Sequence, residues 1–289
     1  MLRSLDLPAE NLAVSLAAFN VGVAAGQAAM VLPLAAVLVW LRGNRWQPKL
    51  VTAVSAIVLA VGLTLFVERV AFAGPATERY GSVPASPDGI GKTYMGRQIA
   101  HVMGWQGAAW LDRAEREREE RSDRLAPMLR LQPGMVVADI GAGTGYYARR
   151  IADRVGPAGR VYAVDVQPEM IGILTALSKQ VGLGNIEPVL GGVDDVRLPP
   201  ASSDVAIMVD VYHELEFPYE VLASIVRAVK PGGRVIFVEY RAEDPRVPIK
   251  RLHKMSEAQI RREAEQHPLA WERTANELPW QHVVIFKRV

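Results

Sequence analysis

The chain has 289 residues, half of them hydrophobic, with 33 Lys and Arg against 31 Asp and Glu for a net charge of +2. That length accommodates one full-sized α/β core with something smaller beside it. The near-neutral balance offers no general attraction to a polyanion, so no nucleic-acid partner is expected. The absence of cysteine excludes disulfide frameworks, thiolate metal sites and cysteine nucleophiles, but leaves the compartment undecided.

Hydrophobicity is spread unevenly. No charged residue occurs from Asn11 to Leu41, nor again from Leu50 to Val67, and each run approaches or exceeds the roughly 20 apolar residues that cross a bilayer core. Between them Arg42, Arg45 and Lys49 form a short basic loop, with Trp40 and Trp46 where interfacial aromatics belong. Residues 1–73 therefore read as a two-span transmembrane hairpin and the membrane as a partner. A soluble helical hairpin would show a polar stripe, whereas Asn20, Gly22, Gly26 and Gln27 are isolated interruptions. Ala71-Phe72-Ala73 has the look of a signal-peptidase site, but Glu68 and Arg69 interrupt the approach to it.

From Gly74 to Lys92, Pro75, Pro84 and Pro87 punctuate a Gly/Ser/Ala-rich stretch that reads as a linker. Residues 93–130 read as a helical lid, broken near Gly104 and Gly107. Within it, Glu and Arg at i,i+3 and i,i+4 spacing over Asp112 to Arg124 suggest a solvated helix face. Beyond Leu131, short β-branched runs alternate with helical stretches. The predicted strands are 136–140, 161–165, 186–190, 205–209, 234–239, 271–276 and 282–287. The predicted helices are 146–155, 168–181, 219–229 and 256–266, the last opened by the capping pattern Ser256 to Gln259. Alternating units of this kind build a mostly parallel sheet covered on both faces. The last two strands, joined by the short turn Leu278 to Gln281, must pair antiparallel.

The strongest local motif is Asp139-Ile-Gly141-Ala-Gly143-Thr-Gly145, placed between a strand and a helix. Glycines there let the backbone turn sharply and approach a ligand, and the helix N-terminus offers free N–H groups. The next strand ends at Asp165, whose carboxylate can accept both ribose hydroxyls of an adenosine, or alternatively cap the helix at Pro168. A dinucleotide fingerprint requires Gly or Ala at its sixth position. Here that position is Tyr146, which disfavours a nicotinamide-dependent oxidoreductase.

With these motifs the stretch 131–289 resembles the class I S-adenosylmethionine-dependent methyltransferase family. The resemblance extends to Gly191-Gly-Val-Asp194-Asp195-Val-Arg-Leu198-Pro199, to the strand from Asp204 to Asp210, and to the turn Lys230-Pro231-Gly232-Gly233. It implies a Rossmann-like, seven-stranded methyltransferase fold with an antiparallel last strand, and S-adenosylmethionine as cofactor. It further implies contact of Asp139, Gly141, Gly143 and Gly145 with the methionine portion, Asp165 with the ribose, Asp194 or Asp195 with the adenine, and Asp210 near the methyl group. The segments 94–105 and 239–255 resemble a bacterial membrane-anchored subgroup of such enzymes. The cysteines used by arsenite methyltransferases are missing here.

In an open parallel sheet the site lies beyond the carboxyl ends of the strands. The acceptor-facing candidates are therefore His213, Tyr212 and Glu239 as catalytic residues, with Glu214 and Tyr240 beside them. An imidazole near the methyl group could deprotonate an oxygen or carbon acid; otherwise His213 is a helix-start residue bonded to backbone. His253 and Lys254 could close the pocket, and His101 and Trp105 could form a lid. No metal is expected, because His213 and Glu214 are adjacent and the other histidines are scattered. Tethering suggests a small-molecule or lipid acceptor, with the catalytic domain on the cytoplasmic side, where S-adenosylmethionine is made. A non-catalytic, membrane-tethered cofactor-binding protein is the rival outside enzymes.

Overall fold

A computed structural model of the chain describes residues 79–289 and isolated helical positions at Lys49, Thr52, 54–56, Leu59 and Gly62. The two apolar runs and the Ala71-Phe72-Ala73 site lie outside the described residues as continuous elements. Among the described residues, no helix is long and apolar enough to cross a membrane. The chain divides into two compact units, residues 1–75 and 76–289, and the second is described here.

It opens with a small antiparallel sheet of β1 (Tyr80–Ser82), β2 (Gly89–Tyr94) and β3 (Arg97–Ala100). This corrects the expectation of a linker to Lys92 and a helix from Tyr94. Pro84 and Pro87 fall in the turn between β1 and β2 instead of along a tether. Met95 and Gly96 both adopt positive φ (48° and 85°), the backbone a tight two-residue hairpin requires. After β3 a turn of 3-10 helix, Trp105–Gly107, leads into α1 (Ala108–Leu111), followed by α2 (Arg116–Glu120) and α3 (Ser122–Met128), the last two separated by Arg121 at φ 53°.

The expected solvated helix face is also corrected. Arg116 and Glu120 are 4% and 1% exposed. Arg116 Nε donates to Glu120 Oε2 at 2.8 Å and Arg113 Nη2 to Glu120 Oε1 at 3.1 Å, while the hydroxyls of Tyr147 and Tyr240 each donate at 3.1 Å. Charge spacing along a helix shows which side chains can meet, not whether another element covers them.

The main sheet then follows the predicted alternation. Its elements are β4 (Val136–Ile140), α4 (Tyr146–Val155), β5 (Arg160–Asp165), α5 (Pro168–Gln180), β6 (Ile186–Leu190), β7 (Ser203–Val209), α6 (Pro218–Ala228), β8 (Val229–Tyr240), α7 (Glu257–Ala264), β9 (Leu269–Ala275) and β10 (Gln281–Arg288). The strand order is β6-β5-β4-β7-β8-β10-β9, parallel through β8, with β10 antiparallel to both its neighbours. Successive strand residues point to opposite faces. Ala206, Met208, Val235 and Phe237 therefore pack with Leu222, Ile225 and Ile260 on one face. On the other, Val205, Ile207, Ile236 and Val238 pack with Leu125, Ile151 and Leu174. Ser256 caps α7 as its spacing predicted, accepting from Gln259 N at 3.2 Å. The chain order reverses between β4 and β7, leaving a crevice at their carboxyl ends.

The small sheet is locked to this frame by Arg97. Its Nε and Nη2 donate to the two oxygens of the fully buried Glu263 at 2.8 and 3.0 Å, and its Nη1 donates to the carbonyl of His213 at 3.1 Å. Breaking a buried pair from one side strands the other charge. Glu263→Ala should therefore lower stability by about 3–5 kcal/mol in urea unfolding of the full-length protein, whereas Arg97→Met with Glu263→Leu should lower it far less.

Candidate active site

A cavity of about 510 Å³ lies at the switch point, within the size range of small-molecule sites. Its wall includes Gly141, Gly143 and Asp165 at one end, and His213, Glu214 and His253 at the other, with Arg116, Asp210 and Tyr240 also lining it. Much of the remaining wall is apolar, supplied by Val102, Met103, Trp110, Val211, Pro248 and Ile249 among others.

The glycine turn keeps this space open. Gly141 and Gly143 both sit at positive φ (70° and 55°), and a Cβ on either would come within 2.2 Å of Val211 Cγ2 or 2.7 Å of Leu111 Cδ1. Gly145, the expected third member, is not on the wall; it caps α4 with φ 81°. Asp165 Oδ2 accepts from Gly143 N and Oδ1 from Gln167 N, both at 2.9 Å. This carboxylate shapes the turn as well as bordering the cavity. Burial raises its pKa, while these backbone N–H groups pull it back down.

Asp139 stands behind the wall, 3% exposed. Burial raises its pKa to about 7 against the opposing charge of Arg116, and its Oδ2 has no partner. Asp210 lines the cavity at φ 54°. Its Oδ2 accepts from Gln281 Nε2 at 2.9 Å, and its Oδ1 is buried without a partner. Burial, with Glu120 and Glu239 nearby, pushes its pKa well above the carboxylate range. An unpartnered acceptor on the wall, a cation at Arg116 and a turn bare of side chains suit a ligand with polar, charged and aromatic parts. These residues fit S-adenosylmethionine.

The adenine candidates are not brought in. Asp194 is exposed and off the wall. Asp195 turns outward to Arg227 at 2.8 Å and to the Arg197 backbone N–H at 2.7 Å. Gly192 and Val193 border the cavity in their place. In an open loop the neighbouring backbone, not the sequence offset, sets where a side chain points.

At the other end a turn of 3-10 helix, Tyr212–Glu214, follows β7. Tyr212 is corrected from a catalytic candidate to a core residue: it is fully buried, edge-on to Phe237 with ring centroids 4.9 Å apart, and absent from the wall. Glu239, fully buried, does not line the cavity either. Its Oε2 is 2.6 Å from His213 Nδ1, and its Oε1 accepts from the Tyr212 and His213 backbone N–H groups at 2.8 and 3.3 Å. Glu239 is thus a positioning residue that directs Nδ1–H of His213 toward itself and leaves Nε2 facing outward. Burial would lower the His213 pKa, but Glu239 alongside holds it above the ordinary histidine value.

Of the residues on the wall, Arg116 escaped the sequence reading, whereas Glu214 and His253 were expected near the acceptor. Arg116 was masked by its helical charge spacing. Glu214 is anchored by the Met103 backbone N–H, which donates to Oε2 at 3.2 Å. His253, on the turn Arg251–His253, brings Nδ1 to 3.2 Å from His213 Nε2. The scatter of histidines along the chain was the ground for expecting no metal cluster, and the fold removes that ground. The expected lid residues His101 and Trp105 are not on the wall, and Lys254 instead donates to the Val247 carbonyl at 2.7 Å. Met103, Trp110 and Leu111 cover the cavity, and Gln167 ties the cover down through Trp105 N at 2.8 Å and Met103 O at 3.0 Å.

A family model described as a methyltransferase domain matches residues 138–237, and one described as HupE / UreJ protein matches residues 1–69. The chain is 32% identical over 112 residues to the ubiquinone/menaquinone biosynthesis C-methyltransferase UbiE of Ectopseudomonas mendocina, covering 38% of this chain and 43% of that protein. It is 33% identical over 125 residues to the tRNA U34 carboxymethyltransferase of Desulfotalea psychrophila, covering 43% and 38%. The chain thus spans less than half the length of the curated relatives it matches. Among solved structures it is similar to a SAM dependent methyltransferase from Aquifex aeolicus, with 24% identity and a TM-score of 0.62 over 65% of this chain and 100% of that one. With its glycine turn at the switch point and its antiparallel β10, the domain has the fold of the class I S-adenosylmethionine-dependent methyltransferases, and the cofactor this implies is S-adenosylmethionine.

Proposed function

We propose that the chain transfers a methyl group from S-adenosylmethionine to an apolar small molecule carrying an ionisable oxygen or carbon. The observation that carries this reading is one continuous cavity joining the glycine turn and Asp165 to the His213–Glu239 pair. Its largely apolar wall suits a hydrophobic acceptor, as does the quinone-biosynthetic role in the name of one relative.

When bound, S-adenosylmethionine supplies an electrophilic methyl group on a sulfonium centre. Asp165 would hold the ribose hydroxyls, Arg116 the methionine carboxylate, and Asp210 a donor group through its free oxygen. Asp139 keeps its buried place ready to ionise beside a cationic ligand. An ionisable acceptor in line with that methyl group would give its proton to His213 Nε2, which Glu239 orients from behind. Met103, Trp110 and Leu111, from the segment read as a lid, exclude water from that in-line arrangement.

The N-terminal apolar runs and the HupE / UreJ match over residues 1–69 support a membrane anchor that would bring the enzyme to a lipid-soluble acceptor. The domain then faces the cytoplasm, where its cofactor is made, and the basic loop faces out. A reporter fused at Val289 should be active only if cytoplasmic; an exported signal overturns this orientation.

Asp165→Ala should weaken binding of S-adenosylhomocysteine, measured calorimetrically on the full-length protein, by about 1.5–3 kcal/mol, as expected for lost hydrogen bonds to a charged group. His213→Ala should retain that binding. Equal losses would overturn the division between cofactor and acceptor residues.

Asp139 gives a pH prediction. In the unfolded chain it ionises near pH 3.8, in the folded one near 7, so between these values the folded state binds the extra proton and stability falls as pH rises. Asp139→Asn removes this dependence. Without ligand, the variant should be more stable than wild type at pH 8 by on the order of 2–4 kcal/mol, with the gap closing toward pH 4 in urea titrations, while its affinity for S-adenosylhomocysteine falls.

A further inference from the structure

The acceptor end of the cavity holds a second arrangement that a proton-accepting histidine does not require. Three potential ligand atoms from two separated turns converge there: His213 Nε2, His253 Nδ1 and Glu214 Oε1. Nε2 and Nδ1 are 3.2 Å apart, Nδ1 and Oε1 3.4 Å, and Nε2 and Oε1 3.8 Å. A hydrogen bond between the imidazoles accounts for the first distance alone. The third atom, nearly equidistant from both nitrogens and too far from Nε2 for a hydrogen bond, forms a triangle with them.

Metal geometry makes such triangles. Ligand atoms about 2.1 Å from a transition-metal ion lie about 3.0 Å apart at right angles and about 3.4 Å apart at tetrahedral angles. The observed edges match or slightly exceed that range. The imidazole planes are inclined at 78°, so the rings approach the shared point from different directions and do not stack.

The groups behind the triangle are those a metal site needs. A metal-ligating histidine commonly donates its other ring N–H to a carboxylate, which fixes the tautomer and raises the basicity of the ligating nitrogen. Glu239 Oε2, at 2.6 Å from His213 Nδ1, occupies that position from inside the core. Glu214 is oriented by the Met103 N–H on its second oxygen, so Oε1 stays free for the triangle. Arg97 holds the His213 carbonyl from the other side. The turn bearing His213 and Glu214 is therefore fixed by its neighbours, and all three residues line the cavity.

We propose that His213, Glu214 and His253 bind one divalent transition-metal cation, of the zinc, cobalt or manganese class, which anchors an oxygen donor of the methyl acceptor. Two imidazoles and one carboxylate leave coordination positions open toward the cavity. An acceptor bearing a phenolic, enolic or carboxylate oxygen would take one of them, while its carbon body lies along Val211, Pro248 and Ile249. The cation would lower the pKa of the bound oxygen, so that its proton is lost to solvent and the acceptor is anionic before transfer; with the cation bound, His213 Nε2 serves as a ligand in place of taking that proton. This deepens the methyltransferase reading and rests on it for the acceptor, but cation binding is testable without turnover.

The test is titration of chelator-treated, full-length protein with Co²⁺ alone, followed by visible absorption and calorimetry, with S-adenosylhomocysteine binding measured on the same samples. One Co²⁺ per chain should bind with ligand-field bands and be displaced by Zn²⁺. His253→Ala, on a partly exposed turn, and Glu214→Gln should each lower Co²⁺ affinity at least tenfold, and both should still bind S-adenosylhomocysteine, which shows them folded. Glu239→Gln should weaken Co²⁺ by about 10–100-fold without abolishing its bands, as expected for an outer-shell partner. Co²⁺ binding equally tightly to wild type and His253→Ala, or binding without ligand-field bands, overturns the proposal. Failure of wild type to bind S-adenosylhomocysteine, with Co²⁺ still bound at one per chain, would instead overturn the methyltransferase reading and leave the cation site standing.

Discussion

Four carboxylates stand at the carboxyl ends of four adjacent parallel strands, and the site is built on how each is accommodated away from water. Asp139, Asp165, Asp210 and Glu239 belong to β4, β5, β7 and β8 or follow them directly. Burying an unpaired carboxylate is expensive, so each needs a partner or a proton. Asp165 takes two backbone N–H groups, Glu239 takes His213 and two more, and Asp210 takes Gln281 on one oxygen only. Asp139 shifts its ionisation toward neutral pH. The two left incompletely satisfied, Asp139 and Asp210, lie at the switch point, Asp210 on the cavity wall and Asp139 behind it.

The segment before the α/β domain supplies the opposing charge. Arg116 would be solvated on an isolated helix, but α2 is folded against α4 and β8, where Glu120, Tyr147 and Tyr240 surround it. From there it faces the cavity, and its charge acts on Asp139 and Asp210 alike. The small N-terminal sheet works similarly at the acceptor end, where Arg97 joins β3 to α7 and to the His213 backbone. Packing across these elements places two arginines where no local motif would predict them.

The same logic explains the acceptor end. β8 delivers Glu239 into the core, β7 ends one turn before His213, and the connection from β8 to α7 returns His253 to the cavity. A buried acid that fixes one imidazole nitrogen leaves the other with a defined role toward solvent and ligand. Base and cation ligand are two uses of that nitrogen, and the position of Glu214 distinguishes them, since a simple proton acceptor needs no third ligand at that distance.

Local signals were sufficient for the sheet. Short β-branched apolar runs, the glycine turn, the cap at Ser256 and the short turn after β9 each depend on neighbours within a few residues, so strands β4 to β10 and the turn holding Gly141 and Gly143 were legible in the sequence alone. The cofactor followed from the family resemblance that this turn, Asp165 and the later motifs carry together. Tyr212, Asp194 and Asp195 were misplaced because a residue's number fixes its element but not the direction of its side chain in a loop or a one-turn helix. The hairpin of β2 and β3 was missed because its turn contains one glycine beside a methionine forced to positive φ. Arg116, Arg97 and the convergence of His253 on His213 and Glu214 exist only through contacts between segments far apart in the chain. The sequence by itself therefore determined the sheet, its glycine turn and, through the family resemblance, its cofactor class; the tertiary structure decided which charges are buried and which side chains meet at the far end of the cavity, because burial and convergence belong to packed surfaces and not to any local stretch of chain.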